Sequence, residues 1–468
     1  MADILIKDGF VVTMDERRRI IPHGSILIKE NRIAQVGEAD EIKTSESEYV
    51  IDARNHVVLP GFVNVHTHLP SIFVRGVYGV VTEGLYEVLF PVKTYFKPED
   101  IYLFGLASCA EAIYAGSTTI VESYNHMSEF SKAAEETGIR AILGEQIVDA
   151  NLMKIKDNVY EYLPDQAEEC LKRGVDLVER YQGKEGRIST IIAPLAPDMT
   201  TRETYLRCKE VADKHGLSVT THLSQSWKEV RQVKRTYGKT PLEHLASIGL
   251  LDRRLSCAHC TYITDREKML MREAGAKILH CPRPYALSGT ANPLTEPMDM
   301  GIPIGLGTDN VFHSMNETIR AALYASRFRA QALDGYGRMA VEGRPTSLEL
   351  LELATIRGSE AMGIDCEVGS LEPGKKADLI TFDLMKPHLT PTMDPLSSVV
   401  LYASSSDIDT VIVEGEVLKK EGVLTKLDMN TILESAQRRT NEIWSTFFNE
   451  NPESRRIWTP HIPYETNN

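Results

Sequence analysis

From Ser117 onward the chain alternates two textures. A short run of apolar and β-branched residues ends on a polar residue, and an amphipathic stretch follows it. The runs are Thr118–Glu122, Arg140–Glu145, Ser189–Pro194, Ser218–His222, Leu255–His259, Ala276–His280 and Pro303–Asp309, with Val58–His68 ahead of them. The stretches between, such as "PEDIYLFGLASCAEAIYAG", "YLRCKEVADKHG" and "DREKMLMREAG", space their apolar residues as a helix does and stop on glycine. Strand–helix alternation repeated eight times predicts an α/β fold, a parallel (β/α)8 TIM barrel.

Both flanks read differently. Residues 1–58 ("DILIKDGFVVTMD", "GSILIKENRIAQVGE", "YVIDARNHVVLP") and 367–424 ("KKADLITFDL", "IDTVIVEGEVLKKEG") are strand-like. They predict one small β-sandwich domain built from both chain ends, beside a barrel over 59–366. Residues 425–468 read as a helix, packed on the barrel or on a partner, followed by a polar tail.

Composition narrows the picture. At 468 residues the chain is long enough for a large domain and a smaller one. A net charge of −14 argues against a nucleic-acid partner, and no apolar run approaches a membrane span. Seven scattered cysteines and an N-terminus with charges inside its alternation predict a reduced, cytoplasmic protein without a secretory signal.

A barrel gathers its chemistry at the C-terminal ends of its strands. There the runs carry His66 and His68, His222, His259, His280 and Asp309. Residues i and i+2 of a strand face the same way, so His66 and His68 can hold one metal. His222 adds a third nitrogen and Asp309 a carboxylate, leaving a position open for water. The metal would bring that water to hydroxide at neutral pH, with Asp309 taking and returning its proton. Zinc suits the donor set, with iron, cobalt or manganese as alternatives. His259 reads either as a catalytic group beside the metal or as a ligand. His280 reads either as a substrate contact or as barrel lining. Cys257-x-x-Cys260 has no second pair and reads as buried small residues. The runs "RAILGEQ" and "STIIAPLAP" end without a bridging lysine, which predicts one metal.

This order of residues, with "VVLPGFVNVHTH", "GLLDRRLSCAHCTYITDRE", "GLGTDN", "ATIRGSEAMG" and "GSLEPGKKADLITFD", resembles the amidohydrolase superfamily over nearly the whole chain. It is most similar to the branch that holds atrazine chlorohydrolase, melamine deaminase and the S-adenosylhomocysteine deaminases. "HLPSIFVRG", with Arg75, resembles that branch's stretch after the first histidines. The resemblance implies one metal on His66, His68, His222 and Asp309, with His259 beside it. It also implies a metal-dependent hydrolase acting on a non-peptide C–N bond of a small nitrogen compound or heterocycle. The alternatives are a hydrolase of a urea, carbamate, thiocarbamate or amide, a chlorohydrolase, and a metal-binding scaffold without turnover.

One position departs from the branch. Deaminases there carry a glutamate three residues after the third histidine; this chain reads His222-Leu223-Ser224-Gln225. A glutamine donates a hydrogen bond but does not shuttle a proton. Either the substrate needs no ring protonation, or it bears a good leaving group, or another acid such as His280 serves, or Gln225 only binds substrate. Glu229 reads as part of the following helix. The aromatic loop Leu69–Lys97, with Tyr78, Tyr86, Phe90 and Tyr95, is expected to roof the site or to form a subunit contact in a homo-oligomer.

Overall fold

A computed structural model describes residues 3–42, 49–79, 84–184, 186–334 and 343–458. The strands that pair in parallel follow one another around a ring. Phe62–His68 pairs with Ser117–Tyr124, that strand with Arg140–Ile147, and that one with Ile188–Thr190 and Ala193–Pro194. A bridge from Ile192 to Val219 leads on to Val219–Leu223, Leu255–His259, Lys277–His280 and Ile304–Leu306. Asp309–Asn310 then pairs back with Thr67 and His68, closing the α/β barrel. Nearly every position of these strands is buried, which explains why they read as continuous apolar runs rather than as alternations. The intervening helices carry their own punctuation. Thr201 and Thr264 cap Arg202–His215 and Asp265–Ala274, and Gly216 and Gly275 end them in the left-handed region.

Three predicted runs are broken. The first changes partners at Gly61: His56–Pro60 lies antiparallel to Leu379–Asp383 in another sheet, and only Phe62–His68 enters the barrel. A side chain at Gly61 would run into Thr118. The fourth run splits into Ile188–Thr190 and Ala193–Pro194. The eighth splits at Gly307, where a Cβ would stand 2.8 Å from that of His66. The chain needs the bare backbone there to pass the first strand and aim Asp309 inward.

The chain ends build one nine-stranded sheet, running Val423–Leu424, Glu416–Lys420, Ile408–Val413, Leu379–Asp383, His56–Pro60, Ile4–Val12, Ile20–Lys29 and Arg32–Glu38, with Tyr49–Asp52 also on Ile4–Val12. It encloses its own apolar core of Ile4, Ile6, Ile26, Ile28, Leu379 and Ile412. The helix Met429–Glu450 packs on this chain's own roof, not away from it. Trp444 Nε1 donates to the Phe73 carbonyl at 2.8 Å, and Arg439 grips Asp100 at 2.6 and 2.9 Å. The tail expected from 459 onward lies outside the described residues.

Candidate active site

His66 and His68 leave the end of the first barrel strand on one side. Thr67 points the other way, donating its hydroxyl to Glu122 Oε2 at 2.7 Å. His222 comes from the fifth strand, His259 from the sixth and Asp309 from the eighth, and all five side chains are buried. Asp309 Oδ1 stands 3.8 Å from His66 Nε2 and 3.7 Å from His68 Nε2. His66, His222 and His259 offer a second group of nitrogens close enough to share an ion.

The hydrogen bonds fix the ring nitrogens. His68 Nδ1 lies 2.7 Å from the Ser123 carbonyl, and His222 Nδ1 lies 2.6 Å from the Leu195 carbonyl. A carbonyl only accepts, so both Nδ1 atoms carry the proton and both Nε2 atoms present lone pairs. Those two Nε2 atoms face each other at 3.0 Å. Burial holds all four histidines below their ordinary pKa, so no proton relieves that contact. His66 Nε2 is buried with no hydrogen-bond partner among the described residues. Opposed lone pairs and an orphaned nitrogen beside a carboxylate fit a divalent cation.

Burial pushes Asp309 up to about 7, against the amide of Asn310, which donates to Oδ1 at 3.0 Å. A carboxyl there can take and release a proton near neutrality. Backbone strain gathers at the same place. Ser224, His259, Cys260, Asp309 and Val311 hold positive φ of 48°, 75°, 48°, 64° and 57°. Non-glycine residues adopt that region at a cost, and it concentrates where side chains must be aimed.

These groups open into a cavity of about 1450 Å³. Gln225 and Arg75 line it, and so do Tyr78, Tyr86 and Phe90 of the roof. Tyr95 instead packs edge-on to Phe447 and donates to Glu450 on the C-terminal helix. Residues 80–83 of the roof lie outside the described residues. His280 ends the seventh strand without lining the cavity, and among the described residues neither of its buried ring nitrogens has a hydrogen-bond partner. Arg75 is held by Glu111 and the Val311 carbonyl. Cys257 and Cys260 are buried free thiols. Glu229 lies in the first turn of the helix Trp227–Tyr237, accepting the N–H of Ser224 at 2.7 Å and of Gln225 at 2.8 Å. It holds the backbone of the loop after His222. Sequence reasoning missed Lys93, whose ammonium reaches the cavity over the ring of Tyr124 at 3.7 Å. The signal was a single cation inside the apolar stretch "EVLFPVKTYF".

The sequence matches the amidohydrolase family over residues 57–418. The chain belongs to that family. Among curated relatives of this amidohydrolase, 5'-deoxyadenosine deaminase of Methanosarcina mazei is 33% identical over 95% of this chain and 99% of its own. The 5-methylthioadenosine/S-adenosylhomocysteine deaminase of Moorella thermoacetica is 33% identical over 94% of this chain and 100% of its own. Among solved structures, an adenosine deaminase from Xanthomonas campestris with bound zinc superposes with a TM-score of 0.85 at 24% identity, covering 95% of this chain and 99% of that one. Atrazine chlorohydrolase from Arthrobacter aurescens complexed with zinc gives 0.84 at 23%, covering 93% and 100%. The fold is therefore the α/β barrel of the amidohydrolase family, and the protein is a hydrolase. Among the described residues no helix is long and apolar enough to cross a membrane.

Proposed function

We propose that this amidohydrolase removes the exocyclic amino group of a purine-like heterocycle by hydrolysis, using one zinc ion. His66, His68, His222 and Asp309 would hold the metal, with His259 beside it. The opposed Nε2 lone pairs of His68 and His222 carry this reading, because they make sense around a cation and not without one. The relatives named as deaminases of adenosine derivatives, alike over nearly the full chain, supply the substrate class.

The ion supplies Lewis acidity to the attacking water. The chain's own residues do the rest. Asp309 takes the proton the water gives up and delivers it to the departing nitrogen, a task its place beside His66 and His68 suits. His259 hydrogen-bonds the group being attacked. Gln225 donates from its amide to the ring, and Tyr78, Tyr86 and Phe90 cover the ring's face and keep water out. Gln225 also favours a second reading. A side chain that cannot protonate a ring suits a urea, carbamate or amide carbonyl, or a ring with a chloride leaving group.

Zinc-loaded protein in heavy-oxygen water, offered 5'-deoxyadenosine, methylthioadenosine, amino- and chloro-triazines, ureas and carbamates, separates the two. Ammonia release with heavy oxygen in a hydroxy-heterocycle is the expected result. Labelled carbonyl products, or chloride release from the chloro-triazines, with no ammonia from any amino-heterocycle would overturn deamination in favour of the second reading.

The nine-stranded sheet with its own core supports a small sandwich domain made of 1–58 and 367–424, the barrel spanning 59–366 and the C-terminal segment 425–468. Exposed Tyr324 and Phe328, one helical turn apart on Met315–Asp334, support a homo-oligomer, which light scattering would test. The seven free cysteines, one of them exposed, support a reducing, cytoplasmic setting.

A further inference from the structure

The chain as a whole is acidic, with a net charge of −14, yet the lysine, arginine and carboxylate side chains that line the cavity over the histidine cluster are nearly all cations. Asp309 is the one carboxylate among its described lining residues. Against it stand seven cations: Arg75, Lys93, Lys156, Lys228, Arg231, Arg235 and Arg283. Clefts lined with one sign of charge concentrate the opposite sign.

Two features show that this charge is arranged and not incidental. Lys228, Arg231 and Arg235 recur at i, i+3 and i+7 along Trp227–Tyr237, so they share one face of that helix. Three residues separate that helix from the strand that carries His222, so its basic face is tied to the histidine end of the cavity. Lys156 adjoins the same wall, since Lys228 Nζ donates to the carbonyl of Ile155. Lys93 sits deeper. Its ammonium donates to Gln146 Oε1 at 3.3 Å and lies over Tyr124, whose ring is 6.3 Å from that of His68. No carboxylate lies within ion-pair distance of Lys93 among the described residues. Glu145, on a neighbouring strand, is taken by Arg173 at 2.7 Å. Burial lowers Lys93 to about 8, which still leaves most of it charged at neutral pH. Lys93 is half-buried, and Glu145 and Glu122 favour its charge without making an ion pair with it, so the anion of a ligand in the cavity can complete its charge pairing.

We infer that the substrate is an anion: an amino-heterocycle whose tail ends in a phosphate or carboxylate, held by Lys93 and by Arg231 and Arg235 on the basic helix face while the ring meets the histidine cluster. The amino-heterocycle rests on the function proposed above; the anionic tail rests on the cavity's charge alone. The Arg75 guanidinium, already paired with Glu111, is a wall of the site and not part of the anion cradle.

The test uses zinc-loaded full-length protein and three compounds with the same ring: 5'-deoxyadenosine, adenosine 5'-carboxylate and adenosine 5'-monophosphate. Each charge-assisted hydrogen bond gained by the tail is worth roughly tenfold in kcat/KM, so the preferred anion should exceed the neutral compound by at least about tenfold, and less at high salt. Whichever anion leads identifies the tail as carboxylate or phosphate. The surface pair Arg231→Gln/Arg235→Gln should cut the anion-to-neutral ratio about tenfold, and Lys93→Met should cut it again. A neutral compound turned over as well as the anions, with a ratio that neither variant moves, overturns the inference. If no ring is deaminated, the proposed reaction falls and binding decides this point separately. Calorimetry with purine riboside and its 5'-monophosphate upholds the anion site if the phosphate binds more tightly, and refutes it if the two bind alike.

Discussion

Glu229→Gln should destabilise the protein even though it removes a buried acid. Glu229 is 0% exposed, and its two oxygens accept the backbone N–H groups of Ser224 and Gln225. Ser224 sits at φ +48°, so the loop depends on those bonds to keep a strained backbone next to His222. A glutamine offers one acceptor and turns its own NH2 toward the second N–H. One bond is lost and one buried donor is orphaned, which costs about 1–3 kcal/mol. Glu229→Ala orphans both donors and leaves a hole, at about 2–5 kcal/mol. The opposing effect is relief from burying a carboxyl, whose pKa is pushed up by burial and by the Asp198 carboxyl nearby. A raised folded pKa contributes stability that is complete below the unfolded value of 4.5 and is lost as pH rises through the folded one. The gap between wild type and Glu229→Gln should therefore be wide in mild acid and narrow toward alkaline pH. Urea denaturation of both proteins in mild acid and in mild alkali measures it. A variant as stable as wild type in mild acid would refute the view that these two bonds outweigh the buried acid.

Other outcomes follow from the same geometry. Burial raises Glu122 to about 8, so the metal-free protein should lose stability as pH rises from 4.5 toward that value. Glu122→Gln should flatten the slope by up to about 5 kcal/mol, read by denaturation across that window; a parallel slope contradicts it. The window ends where Lys93 also begins to lose its proton. Arg439→Ala leaves Asp100, 3% exposed, without its cation and should cost about 2–4 kcal/mol in a denaturation curve. Chelation should lower the melting temperature, and zinc should restore it by the equivalent of about 4 kcal/mol at a thousandfold excess over Kd. No response to either would count against a cation between His68 and His222.

The barrel and the histidine cluster were legible because strand ends are marked by polarity. His66 and His68 declare their common face by spacing alone, and His222, His259 and Asp309 each close an apolar run. What the pattern hid were effects of contacts distant in sequence. The breaks at Gly61 and Gly307 arise because Thr118 and His66 leave no room for a side chain. The single strand expected over Val58–His68 thus divides between two sheets. Lys93 looked like one cation in an apolar loop. Its place in the cavity comes from a roof whose packing includes Phe73, Val88, Val92, Ile443 and Phe447, and a third of that cluster's buried residues lie some 350 residues away. Glu229 was placed in its helix correctly, but its grip on Ser224 and Gln225 depends on how that helix leaves the strand.

The nine-stranded sheet sets a timetable for the chain's birth. His56–Pro60 needs Leu379–Asp383 as its neighbour, and that strand leaves the ribosome roughly 320 residues later. At about 5–20 residues per second the nascent N-terminal strands wait about 15–60 s with one edge unpaired, while the entire barrel emerges. The roof waits longer still, since Trp444 and Arg439 come after the last strand. The newborn chain is therefore most prone to mispairing before its barrel is finished, and its catalytic chamber gains its lid last.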